Sequence, residues 1–351
     1  MSTMERKHGL DILRVIAILL VVIHHIPRPE NIFFPFWFLS FSDVGWSGVD
    51  LFFVLSGFLI AGQVFQAKTN EGGLKSFWIK RWFRTLPLYY VVLFVYTVVK
   101  PMMGYSFRDN AWEYLFFTQN YLSPMDFVQS WSLCIEEHFY LVFPVLIYLF
   151  NFKKMNPFIW LLPLLLSLLS RYYLYHYTDI ISAPETTFAH TVRFMTHNHL
   201  DGISMGVFLA KTYDFWKEFS RTNRNILGVL GFGLVFIALY QSGLSMRGPI
   251  FIYSFTLLAF GFGLLLICFH DFKLNKLAYI PVEKIALWSY GIYIWNHLLI
   301  RKFEHTTITM PWYTVGLAFT LLSIGSGAST YYTIEKPFLN LRNKILAKMS
   351  H

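Results

Sequence analysis

The chain has 351 residues, of which 55% are hydrophobic and only 14% charged. Soluble globular proteins carry about 25% charged residues, so the composition excludes an ordinary soluble domain. The net charge of +9 would suit nucleic acid if clustered, but the basic residues lie between apolar runs on alternate loops, which reads as membrane topology.

Apolar runs predict roughly ten transmembrane helices. They lie near Leu10–Pro27, Ser47–Phe65, Leu86–Val99, Trp131–Phe150, Pro157–Tyr175, His199–Ala210, Ile226–Tyr240, Pro249–His270, Ile285–Ile300 and Trp312–Tyr332. The sixth is short and polar, with its true start expected nearer Phe194. An even number of spans puts both termini on one side, and the excess of Lys and Arg makes that side cytoplasmic. The expected fold is therefore an all-α, multi-pass bundle in the cytoplasmic membrane. It comprises one transmembrane domain over residues 1–335 and a short basic tail over 336–351. Cys134 and Cys268 both fall in spans and read as small buried apolar residues.

Charge inside a span is costly and marks a functional site by default. The first span carries Asp11, Arg14 and His25. Asp11 and Arg14 share a helix face and can pair. Arg14 and His25 also share a face, at depths about 16 Å apart. Snorkelling of Arg14 and a helix-end role for His25 would explain each alone. Arg81 and Arg84 form a pair at the inner surface, where planar guanidiniums grip phosphate oxygens, although positive-inside anchors look similar. The fourth span opens with Trp131, Ser132, Glu136, Glu137, His138 and Tyr140. Ser132, Glu136 and Tyr140 recur at helical spacing on one face. The ninth span carries Ser289, Tyr290, Tyr293, Asn296 and His297, and the tenth ends in Glu335-Lys336-Pro337.

Taken in order, these segments resemble the membrane acyltransferase 3 family, whose members acylate sugars of surface polysaccharides. The resemblance covers essentially the whole chain. It rests on Leu10-Asp11 to Arg14 with His25, on Gly48-Val49-Asp50 through Ser56-Gly57-Phe58 to Ile60, and on Arg81 with Arg84. Further support comes from Trp131-Ser132-Leu133 with Glu136, Glu137 and Tyr140, from Leu200-Asp201-Gly202 with Gly206, and from Glu335 with Pro337. Two positions depart from the pattern. Asn296 stands where the family often has His, and His199 lies where Arg is common.

The resemblance implies an O-acyltransferase with acyl-CoA as donor substrate, most often acetyl-CoA, and with no tightly bound cofactor or metal. Arg81 and Arg84 would hold the donor's phosphates, with Asp11 and Glu335 at the same end. The pantetheine arm would pass Arg14 and bring the thioester to His25. With an unperturbed pKa near 6.5, His25 would act as base or as acyl carrier. The catalytic set is then His25, Glu136 and Arg14, with Glu136 orienting His25. Acceptor-side candidates are Trp131, Ser132, Glu137, His297 and Asp50. The acceptor would be a glycan or lipid-linked sugar; no nucleic-acid partner is expected, and the oligomeric state is unspecified. A carrier of a small anionic metabolite would also have about ten helices and buried charge, but related halves with broken helices are not evident.

Overall fold

The structure is a computed structural model that describes residues 7–67, 73–107, 110–121, 125–150, 155–244, 248–304 and 311–349. Among the described residues every regular element is helical. Apolar runs in a bilayer must satisfy their backbone internally, and the helix does so within one segment. The main helices are α1 (His8–His24), α2 (Phe36–Asp43), α3 (Gly48–Ala67), α4 (Gly73–Phe94), α5 (Trp131–Leu149) and α6 (Leu162–Tyr177). They continue as α7 (Asp201–Lys211), α8 (Arg221–Leu244), α9 (Ile250–Phe269), α10 (Lys276–Glu304), α11 (Trp312–Thr330) and α12 (Lys336–Met349).

Each of the ten predicted spans overlaps one of these helices. Six stretches among the described residues are long and apolar enough to cross a membrane: Phe36–Gln66, Gly73–Met102, Val128–Leu149, Pro157–Tyr177, Arg221–Gln241 and Ile250–Phe269. Large apolar side chains face outward on the peripheral helices. Examples are Leu165, Leu166 and Leu169 on α6, Val229, Phe232 and Phe236 on α8, and Leu317 and Leu321 on α11. Faces of this kind suit lipid rather than water.

The sixth predicted span is the main departure. α7 has 11 residues, about 16 Å of helix and too short to cross the hydrocarbon. Its amino-terminal side does not extend as helix to Phe194. A π-helical turn over His190–Phe194 and a tight turn over Thr196–Asn198 come first. Such a broken segment is tolerated at membrane depth only when protein covers it. Here α7 is buried against α3, α6 and α9. Small residues allow that approach: a Cβ at Gly57 would meet the Ile203 backbone, and one at Gly206 would meet the backbone of Val54 and Phe58.

Arg171, within the fifth predicted span, lies inside α6 and is fully buried. Its guanidinium grips Asp201 through two bonds of 2.8 and 2.9 Å, and Thr256 Oγ1 donates to the same carboxylate at 2.6 Å. α3 lies centrally, packed on α1, α4, α5, α7 and α9, while α1 also packs on α10. α12, the predicted tail, is a helix lying on α4 with no buried residue.

Candidate functional site

A cavity of about 470 Å³ runs between α3, α4, α5 and α10. One end is cationic, lined by Arg14, Lys80, Arg81, Arg84 and Arg342. The other is closed by Ser132 and Tyr293, both buried. Phe52, Phe53, Leu55 and Ile60 of α3 supply apolar wall between the two ends. The amphipathic start of α4 explains the cationic end, since Lys80, Arg81 and Arg84 recur within about one helical turn.

The arginines are held by different means. Arg14 donates to Asp11 at 2.5 Å, and Tyr279 donates to the other Asp11 oxygen at 2.6 Å. Asp11 is fully buried and does not line the cavity. Its expected place among donor-binding groups is therefore indirect: it orients Arg14, and a bare carboxylate facing phosphate would be repulsive. Arg81 donates to Tyr140 Oη at 2.7 Å, with its guanidinium carbon 4.4 Å from that ring centre. Tyr140 also shares a 2.8 Å bond with Ser56. The Arg81 Nε is buried without a partner. Arg84 lies 4.0 Å from Glu335, which occupies a π-helical turn over Tyr331–Glu335.

Glu136 lines the cavity beside Ser56 and Tyr140. No hydrogen bond joins it to His25 among the described residues. Glu137 turns away from the expected acceptor side: it is buried and accepts at 3.0 Å from Thr85 Oγ1, one helical turn from Arg81. At the closed end, Ser132 and Tyr293 share a 2.6 Å bond, and Tyr293 donates to the Gln129 carbonyl at 3.0 Å.

His25 does not line this cavity. Nor does Arg14 sit with it: the helical rise separates them by about 16 Å, so Arg14 belongs to the cationic end of the cavity rather than to the His25 end. His25 is the C-cap of α1, where the last carbonyls lack intrahelical partners. Its Nδ1 lies 2.8 Å from the Val21 carbonyl. A carbonyl only accepts, so Nδ1 carries the proton and Nε2 keeps the lone pair. The orienting role expected of Glu136 is thus filled by backbone. His24 is held in the same way, with Nδ1 at 2.9 Å from the Ser42 carbonyl.

Beside the two histidines is Arg193, within electrostatic reach of His24, His25, Asp50 and Tyr293. Its guanidinium carbon lies 4.7 Å from the Trp46 ring centre and 5.5 Å from that of Trp131. Trp131 stacks in turn on Phe194 and His199. Asp50 is buried and bonds His199 Nε2 at 2.7 Å, while His199 Nδ1 lies 2.8 Å from the Arg193 carbonyl. Trp131 and Asp50, two of the expected acceptor-side candidates, therefore gather around Arg193 and His199. His297 lies on α10 about one turn beyond Tyr293 and does not line the cavity. Neighbouring Asn296 is buried, with both side-chain polar atoms unpartnered.

Sequence reasoning missed Lys80, Arg342 and Arg193 as site residues. Lys80 and Arg342 looked like ordinary positive-inside charge, and Arg193 like an outer-loop charge. The signal available for Arg193 was its flanking by Phe188, Val192 and Phe194, an apolar setting unusual for a solvated loop.

A family model described as an acyltransferase domain matches residues 7–328. The peptidoglycan O-acetyltransferase OatA of Listeria monocytogenes serovar 1/2a is 28% identical over 338 residues, covering 88% of this chain and 51% of the relative. An O-acetyltransferase named OatA from Staphylococcus aureus strain NCTC 8325 is 28% identical over 324 residues, covering 83% of this chain and 50% of the relative. The chain thus spans about half the length of these relatives. No solved structure matches it.

Proposed function

We propose that this chain, which belongs to the acyltransferase domain family, transfers an acetyl group from acetyl-CoA to a hydroxyl of a surface glycan across the cytoplasmic membrane. The observation that carries this reading is the polarity of the cavity. Five basic side chains gather at its half-exposed end, and hydroxyl groups and aromatic rings close its buried end. That gradient matches a donor with a polyanionic head and an uncharged acyl-bearing arm. Guanidiniums bind phosphate by charge-assisted, forked hydrogen bonds, and Arg81 and Arg84 are held by neighbours that leave donors to spare.

The cationic end faces the cytosol in this reading, as the distribution of Lys and Arg along the chain favours. Beyond Ser132 and Tyr293 lies His25, with Nε2 as the free base. In this reading the thioester reaches His25 when the Ser132–Tyr293 pair parts. The acceptor hydroxyl gives its proton to Nε2 as its oxygen attacks the acyl carbon, and the thiolate of CoA leaves. The match to O-acetyltransferases supports an enzyme over a carrier of small anions, and the Listeria relative's printed name supports a peptidoglycan-like acceptor.

The test is direct. Purified protein in lipid nanodiscs, given acetyl-CoA and peptidoglycan fragments, should release CoA thiol and leave an alkali-labile acetyl ester on the sugar by mass spectrometry. Thiol release absent with every acyl-CoA tried would refute the donor assignment.

A further inference from the structure

The π-helical turn over His190–Phe194 holds a side chain for which neither the fold nor the donor-binding end has a use. Arg193 is sandwiched between Trp46 and Trp131. Among the described residues its Nε is buried without a hydrogen-bond partner, and its guanidinium makes one long 3.4 Å contact, to the Trp46 carbonyl. A buried guanidinium nitrogen left without a hydrogen bond is expensive to keep. Nearby, Asp50 Oδ2 and Ser47 Oγ are likewise buried and unpartnered. The turn itself is anchored, because His199 bridges the Asp50 carboxylate and the Arg193 carbonyl. π-helical turns of this type recur at functional sites.

Position adds to the argument. The two aromatic partners of Arg193 fix its place: Gly45, just before Trp46, packs against His24, the neighbour of His25, while Trp131 precedes Ser132 and lies edge-on to Phe53, both of which line the cavity. Tyr293 closes the donor cavity. Arg193 therefore stands where the end of the donor channel meets the base. We propose that Arg193 is a catalytic residue that donates from its guanidinium to the carbonyl oxygen of the transferring acyl group, with Asp50 and His199 as positioning residues that fix its turn.

This inference rests on the acyl-transfer reading above. The acceptor oxygen forms a bond to the acyl carbon, and the carbonyl electron pair moves onto oxygen, where Arg193 stabilises it. Collapse of that adduct breaks the carbon–sulfur bond. His25 has by then taken the hydroxyl proton and returns it to the departing thiolate. A cation held between aromatic rings is worth most when charge develops in the transition state.

The experiment follows CoA thiol release from acetyl-CoA by full-length protein in nanodiscs, with thermal melting measured in parallel. Arg193→Gln should lower kcat by about 100–1,000-fold while donor KM stays within about 3-fold, as for loss of one oxyanion donor. Arg193→Lys, which keeps the charge without the fork, should recover roughly 10-fold of that loss. Wild-type kcat in Arg193→Gln, or a loss confined to KM, would overturn the proposal. If Arg193→Gln melts below the assay temperature, Arg193→Lys carries the test. A kcat deficit at unchanged KM then supports it, and a KM deficit or wild-type values overturn it. Wild-type protein inactive on acetyl-CoA would instead overturn the donor reading beneath it.

Discussion

Arg84 stands 4.0 Å from Glu335, whose carboxylate is buried in a π-helical turn with neither oxygen hydrogen-bonded. The pair ties α4 to the end of α11 at the cationic mouth of the cavity. Glu335 is buried and Arg84 part-exposed, so removing Arg84 leaves a buried carboxylate without its counter-charge, a cost of about 1–3 kcal/mol. Arg84→Gln should therefore lower the melting temperature and raise donor KM by roughly 10-fold, the loss of a charged hydrogen bond. Adding Glu335→Gln should restore melting but leave donor KM high. Recovery of both would mean that Arg84 serves only the fold.

The Arg171–Asp201 pair invites the opposite expectation. It is fully buried between α6 and α7 and does not line the cavity. Arg171→Ala should cost about 3–5 kcal/mol of stability, seen as a steep fall in melting temperature in detergent. Any protein that remains folded should bind donor with the wild-type KM. A donor defect without a melting defect would contradict this division of labour.

Packing of α7 on α3 gives a third prediction. A side chain at Gly206 would meet the backbone of α3, whereas one at Gly233 would meet nothing within 4 Å. Gly206→Val should destabilise by about 1–3 kcal/mol or more through overpacking, and Gly233→Ala should be neutral or slightly stabilising. Comparable melting of both variants would show that the helices separate easily.

Much of this was legible in sequence because it is local. Long apolar runs predict helices, and helical spacing puts Asp11 beside Arg14 and groups Arg81 with Arg84; the structure shows each of these relationships. Spacing does not say which helix a face meets. Arg342 joins Arg84 across more than half the chain, and Arg171 finds Asp201 between separate helices. The same limit explains Glu137, expected on the acceptor side, which turns to Thr85. It explains His25 as well: a carboxylate partner was expected, yet a helix-end carbonyl one turn back does the work. The break before α7 was unreadable because short polar turns inside a bundle look like loops until their cover is known.

Acetyl-CoA turnover by wild-type and His25→Gln protein, measured together with donor affinity in nanodiscs, tests the account most directly. Loss of a general base should reduce turnover by about 100–10,000-fold, while donor affinity, set at the far cationic end, stays at the wild-type value. Wild-type turnover in His25→Gln would contradict the claim that the donor cavity serves this imidazole.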